Sequence, residues 1–196
     1  NLTVDQDLEG CEQTVKELAN LSSRFSEDSS IALEYAKGLA NLSAEQDLLG
    51  CEQTVGELGH LSTRFSEEPF IALEYAKGLF NLTVKRDLEG CEQTVKELAN
   101  LSSRFPDDSD IALEYAKGLF NLSVEQDLLG CEQTVGELGH LSTRFSEDPF
   151  LALAYAKGLA NLSAEQDLLG RKQTVEELSH LSTRFSDDSS IALEYA

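Results

Sequence analysis

Four cysteines, three histidines and many carboxylates are the groups of this chain best suited to chemistry, and they recur at one spacing. Cys11, Cys51, Cys91 and Cys131 follow one another at intervals of forty residues. His60, His140 and His180 share a second register, and acidic pairs such as Glu67-Glu68 fall at expected loop and cap positions. A catalytic centre needs a nucleophile, a base and an orienting group converging on one point. A fixed translation instead keeps like groups apart, so the expectation is a protein that is not an enzyme, with no catalytic residue and no cofactor.

The same geometry speaks against the simpler chemistries. A disulfide needs Cα atoms within about 7 Å, whereas equivalent positions on neighbouring packed helices lie about 10 Å apart. The cysteines are therefore expected as buried thiols, which behave as small hydrophobes and fit a reducing, cytoplasmic compartment. His140 and His180 stand one repeat apart, too far to share a metal ion, and are expected on a polar flank. Asn1, Asn20, Asn41, Asn81, Asn100, Asn121 and Asn161 each begin an Asn-x-Ser/Thr glycan-acceptor pattern. Five of them coincide with expected helix caps, which explains their recurrence without sugars.

What must position these groups is a forty-residue unit written almost five times, at 1–40, 41–80, 81–120, 121–160 and 161–196. A strict period of this length with helical patterning predicts stacked two-helix units forming one elongated repeat domain over 1–196. Hydrophobic residues make up 41% of the chain, enough for a core along the axis. With 36 acidic and 15 basic side chains the formal charge is −21. Nucleic-acid binding rests on Lys and Arg neutralising phosphates, so neither nucleic acid nor an anionic membrane surface is an expected partner, while a basic protein or peptide is. No stretch reaches the roughly 18 apolar residues of a membrane span. The chain has no initiator Met and ends where earlier units continue, so a fragment of a longer protein is expected.

Within one unit, Leu8, Cys11, Val15, Leu18, Ser22 and Phe25 alternate in steps of three and four, predicting a long helix from about Val4 to Phe25. Thr3, Ser43, Ser123 and Ser163 precede Gln6, Gln46, Gln126 and Gln166 by three residues, the capping-box spacing. Thr83 is followed by Arg86, so the third unit keeps only half of it. A shorter helix follows, to about Leu42, with Pro69 and Pro149 in its first turn after Glu68 and Asp148. Its residues are apolar around most of the circumference, so it must be covered on several sides.

These residues resemble the tetratricopeptide repeat. Thr94, Leu98 and Leu101 stand where that family places its second-helix contacts, Pro106 where it has a closing proline, and Ala112, Tyr115, Ala116 and Leu119 where its first helix packs. The period here is forty residues, against thirty-four in the family. The resemblance implies an all-α, right-handed α-solenoid of stacked helix-turn-helix repeats, about ten helices, acting as a scaffold for a protein or peptide. It also implies that the shorter helices line a concave surface. On that surface fall Glu34, Glu74 and Glu114 with Lys37, Lys77, Lys117 and Lys157, joined by Asn41, Asn81 and Asn121. Phe70 and Phe150 open those helices; Phe80 and Phe120 close them where Ala40 and Ala160 stand elsewhere. The aromatics can anchor a partner or fill gaps between repeats, and the charged rungs can bind or simply be solvated. The other candidate role is structural, with units of separate copies stacking head to tail.

Glycines leave a further choice. Gly10 recurs in every long helix, and Gly56, Gly59, Gly136 and Gly139 add two more in units two and four. An interior Gly costs about 1 kcal/mol relative to Ala, so either close packing between neighbouring long helices or a shallow groove for a partner is expected there. In the fifth unit Arg171-Lys172 replace Cys-Glu. Charge at a former core position predicts a less covered helix.

Overall fold

The computed structural model describes residues 2–186 and 188–195, with side chains at 8–186, 188 and 190–194. The described residues form ten helices: α1 (Leu2–Arg24), α2 (Ser29–Glu45), α3 (Leu48–Arg64), α4 (Pro69–Thr83), α5 (Leu88–Arg104), α6 (Ser109–Glu125), α7 (Leu128–Arg144), α8 (Pro149–Glu165), α9 (Leu168–Arg184) and α10 (Ser189–Tyr195). Each packs on the next in sequence. The even-numbered helices also pack on one another in a row, whereas no two odd-numbered helices make such a contact among the described residues. The architecture is an all-α solenoid, and its tightly spaced even row is the inner one.

Small side chains explain why the even helices take the inner row. Ala32, Ala36, Ala72, Ala76, Ala112 and Ala116 are wholly buried, so the even helices approach closely. Within a unit the lock between its odd and even helices is a leucine against a glycine. A Cβ built on Gly78 would lie 2.6 Å from a methyl of Leu58, and one on Gly118 would lie 2.8 Å from a methyl of Leu98. Both leucines are fully buried. Interiors are packed too densely to absorb such an overlap without movement.

Helix lengths and boundaries correct the sequence expectation. In units two to four the two helices are nearly equal, at 17 and 15 residues for α3 and α4 and 17 each for α5 and α6. The Asn-Leu-Ser segment does not open the odd helix but ends the even one. Ser43, expected as a cap, is buried, and its hydroxyl donates to the Ala40 carbonyl at 2.7 Å. The reason is that Leu42 continues the buried stripe of α2, which favours carrying the helix on. The cap falls four residues later. Asp47, Asp87, Asp127 and Asp167 accept from the amides of Gly50, Gly90, Gly130 and Gly170 at 2.9–3.0 Å. Asp is a strong N-cap, and its charge suits the positive helix start. Gln46, the other half of the expected box, instead accepts a bond from the Thr54 hydroxyl at 2.7 Å. The Thr3–Gln6 pair lies outside the described side chains. At the even-helix starts Asp148 caps the Phe150 and Leu151 amides, while Glu68 makes no side-chain cap bond.

Polar contacts stitch one unit to the next. Arg64, Arg104, Arg144 and Arg184 each donate to the serine hydroxyl 42 residues earlier, Ser22, Ser62, Ser102 and Ser142, at 2.6–3.1 Å. Each of these guanidiniums also stacks over the next residue's ring, as Arg64 does on Phe65 at 4.7 Å. Asn81 donates to the Ser43 hydroxyl at 2.9 Å and Asn121 to the Thr83 hydroxyl at 3.0 Å. In the third unit Lys85 donates to the Gln46 carbonyl at 2.8 Å and Arg86 pairs with Glu52 at 2.8 Å.

The glycine expectation also needs correction. Gly10, Gly56 and Gly136 face open space, with no neighbouring heavy atom within 4 Å of an added Cβ. The odd helices meet through side chains such as Arg64 and Ser22 but do not pack backbone to backbone, so close packing between them is not what these glycines serve. An added methyl there meets nothing and reduces the freedom of the unfolded chain. Gly56→Ala and Gly136→Ala are each expected to stabilise the protein by about 0.5–1 kcal/mol, read as higher midpoints in urea unfolding; a lowered midpoint for either refutes the open-space assignment.

Candidate functional site

The inner row carries a groove of about 430 Å³ between α6 and α8, closed at one end by α4. It is mainly apolar. Phe80, Phe120 and Phe150 form its walls with Leu113 and Leu153, while Asp110 marks one end. Lys117, Lys157, Asn121 and Ala154 complete it. Positions 110, 113, 117 and 120 of α6 and 150, 153, 154 and 157 of α8 are spaced as one helical face. Two parallel neighbours therefore offer the groove matching stripes.

Phe80 and Phe120 are half-buried, whereas Phe150 remains exposed at the first turn of α8. Lys117 is tied in two directions. Its Nζ lies 2.8 Å from the Glu114 carboxylate and 5.5 Å from the Phe80 ring centre. Lys37 and Lys77 make the same contact with Glu34 and Glu74, also at 2.8 Å. Glu74 and Glu114 are buried beneath their lysines, while Glu34 is exposed. In the fourth unit the glutamate is replaced by Ala154. Lys157 has no carboxylate at ion-pair distance among the described residues.

Of the fourteen positions expected on the concave surface, Phe80, Lys117, Phe120, Asn121, Phe150 and Lys157 come together in this groove. Glu34, Lys37 and Asn41 belong to α2, and Phe70, Glu74, Lys77 and Asn81 to α4. Glu114 belongs to α6, where it holds Lys117 from below. Asn81 and Asn121 are half-buried bridges between even helices, a role their types alone did not reveal. Asp110, Leu113, Leu153 and Ala154 were not expected in a site. Asp110 and Ala154 do carry a sequence signal, since each departs from the residue at its register two units earlier, Ser30 and Glu74.

The equivalent place one unit earlier is different. There Ala40 stands for Phe80, Phe70 for Asp110, Asp110 for Phe150 and Glu114 for Ala154. Near-identical repeats thus differ at this junction in four places, of which three enlarge or uncover apolar surface and the fourth, Asp110, adds a charge at its edge.

On the outer side, a second groove of about 500 Å³ includes Gly136, Gly139, His140, Tyr155, Glu177 and His180. A Cβ on Gly139 would come within 3.1 Å of the Tyr155 ring, so this glycine makes room for the tyrosine. Its lining is polar and the histidines are exposed. Among the described residues no group of three His, Cys, Asp or Glu side chains could hold a metal ion.

The thiols and phenols are ordered by burial. Cys51, Cys91 and Cys131 are buried and unpaired, Cys11 is half-buried, and burial pushes the Cys91 thiol up to about 11. The Tyr75 hydroxyl donates to Glu97 at 2.8 Å, and Tyr35 donates to Glu57. Burial, then the neighbouring carboxylate, raises both phenols well above their usual range; Tyr115 is pushed up to about 12 by burial and Glu137. Arg171, at the register of these cysteines, is exposed and donates to the Ser163 carbonyl at 2.9 Å. No helix of the described residues is long and apolar enough to cross a membrane.

Comparison with protein families, characterised proteins and solved structures finds no match to this chain.

A raised acid favours its neutral form in the fold, so the unfolded chain loses protons first as pH rises, and stability falls. Unfolding free energy should hold steady to about pH 9, the ordinary thiol value. It should then decline through the thiol window ending near 11 and the phenol window reaching 12. Urea titrations at pH 8, 10 and 11.5 check this; stability unchanged at 11.5 would contradict it.

Proposed function

We propose that this chain is a non-enzymatic, tetratricopeptide-like scaffold that binds a protein or peptide segment along the inner row of even helices. The observation carrying this reading is the groove between α6 and α8, where three phenylalanines converge. Apolar pockets with a few convergent polar groups are the usual form of a binding site, and rigid aromatics in such pockets supply most of the energy of interfaces. The charge of −21 favours encounter with partners that are basic overall.

A random peptide library displayed against the whole chain tests the reading. Selected peptides should lose at least tenfold in affinity to Phe120→Ala while the variant keeps its helical circular dichroism. Peptides that bind the wild type and the Phe120→Ala and Phe150→Ala variants equally well would refute it.

A second reading, stacking of copies head to tail, is favoured by the face of α1. Leu21 is 39% and Phe25 49% exposed, whereas Leu61 and Leu101, at the register of Leu21, keep 5% and 4% under the preceding unit. Sedimentation across a hundredfold concentration range decides it. Growth in mass that Leu21→Glu abolishes supports stacking, and a constant monomer mass eliminates it.

A further inference from the structure

We infer that the groove between α6 and α8 selects an extended peptide segment in which bulky apolar residues lie between a single carboxylate side chain and a cation. This rests on the reading of the groove as the binding site and adds the chemistry of its occupant. Three features of charge placement carry it.

The first is the fourth unit's missing glutamate. At this register α2, α4 and α6 have Glu34, Glu74 and Glu114, each 2.8 Å from the lysine three residues on. In α8 that register holds Ala154, and Lys157 keeps its cation with no internal partner among the described residues. The cation lines the groove. A ligand carboxylate can take the place vacated by the glutamate, beside a lysine that is exposed and open to approach.

The second is the groove's own polarity. Asp110 stands seven residues before Lys117 on the same helix, which is about 10 Å along the axis. An extended chain covers that distance in about three residues. Lys157 holds the register of Lys117 on α8, one interhelix spacing of about 9 Å to the side. A ligand that sets a cation against Asp110 and a carboxylate against Lys157 thus spans about 14 Å, which three residues and the reach of the two charged side chains cover, with two apolar side chains between them. Those side chains meet Leu113, Leu153 and the phenylalanine walls.

The third is uniqueness along the array. The corresponding place between α4 and α6 has Glu114 already seated on Lys117, and Ala40 in place of an aromatic wall. A carboxylate arriving there meets a neutralised lysine beside a second carboxylate. The array therefore offers one such position where near-identical repeats would otherwise offer several.

The test uses the full chain and three fluorescent octapeptides, acetylated and amidated so that no terminal charge contributes. Their centre is Lys-Phe-Leu-Glu, its isostere Lys-Phe-Leu-Gln, and the cation-free Gln-Phe-Leu-Glu. Anisotropy titrations should give the first peptide about fivefold tighter binding than the second, the scale of a partly exposed ion pair, and the third should also bind more weakly than the first. Ala154→Glu restores the residue found in the other units and leaves the walls alone. It should bring the first two peptides to equal affinity, as should Lys157→Gln, whereas Phe120→Ala should weaken both in proportion. Equal affinity for the Glu and Gln peptides in the wild type, or a preference that survives Ala154→Glu, overturns the inference while leaving the groove as a binding site. A simple 3-phenylpropanoate that competes as well as the best peptide also overturns it, because the occupant is then a small acid. If none of the peptides binds and the selected library peptides ignore Phe120→Ala, the underlying reading falls as well.

Discussion

The rest of the structure depends on the even helices being apolar on nearly every side. Such a helix cannot end at a solvent boundary; it must be sandwiched. In each interior unit it is covered by the odd helices before and after it and by its even neighbours. Wholly buried alanines allow the close approach, and the leucine-against-glycine contacts at Leu58–Gly78 and Leu98–Gly118 set how near the two layers come. No unit can satisfy this alone, so the copies are interdependent and the core runs from cluster to cluster along the chain.

Around that apolar row, polar groups fix register rather than supply the driving force. The arginine-to-serine bonds recur every unit at 42 residues' separation and join odd helices that otherwise stand apart. The asparagines do the same between even helices. Hydrogen bonds of this kind contribute about 1 kcal/mol each. Their larger effect is to make one sliding position of unit on unit better than its neighbours. Translation symmetry then becomes the background against which any departure is chemically visible. Glu to Ala at 154 and Ala to Phe at 80 and 120 are small edits in sequence. In the array they fall at one junction and turn a charged rung into an apolar groove.

Much of this architecture is legible in the unbroken chain. The forty-residue period and the apolar steps of three and four in each unit lead directly to paired, stacked helices. Burial of the cysteine register follows from the same stripe. The helix ends are less legible. Ser43–Gln46 has the spacing of a capping box, yet Leu42 and Ser43 are buried and the helix runs on to Glu45, leaving Asp47 as the cap of α3. Local hydrogen-bond preference lost to burial of an adjacent side chain, and a one-unit reading does not include the neighbour that does the burying. The glycines were misjudged for a related cause. Gly56 and Gly136 face open space because the odd helices splay apart, a property of curvature and not of composition.

The candidate site divides in the same way. Residue type and register alone placed Phe80, Phe120, Phe150, Lys117 and Lys157 on one class of helix, since periodicity assigns faces without reference to any partner. The sequence also determined, by its repetition, that like groups are held apart. Only the tertiary structure decided that Asn81 and Asn121 are spent on bridges, that Glu74 and Glu114 lie beneath their lysines, and that Ala154 leaves Lys157 without one. Those facts belong to pairs of helices. A helical pattern specifies the direction of a side chain, but its neighbours, and hence its burial and its electrostatics, come from the helix packed alongside.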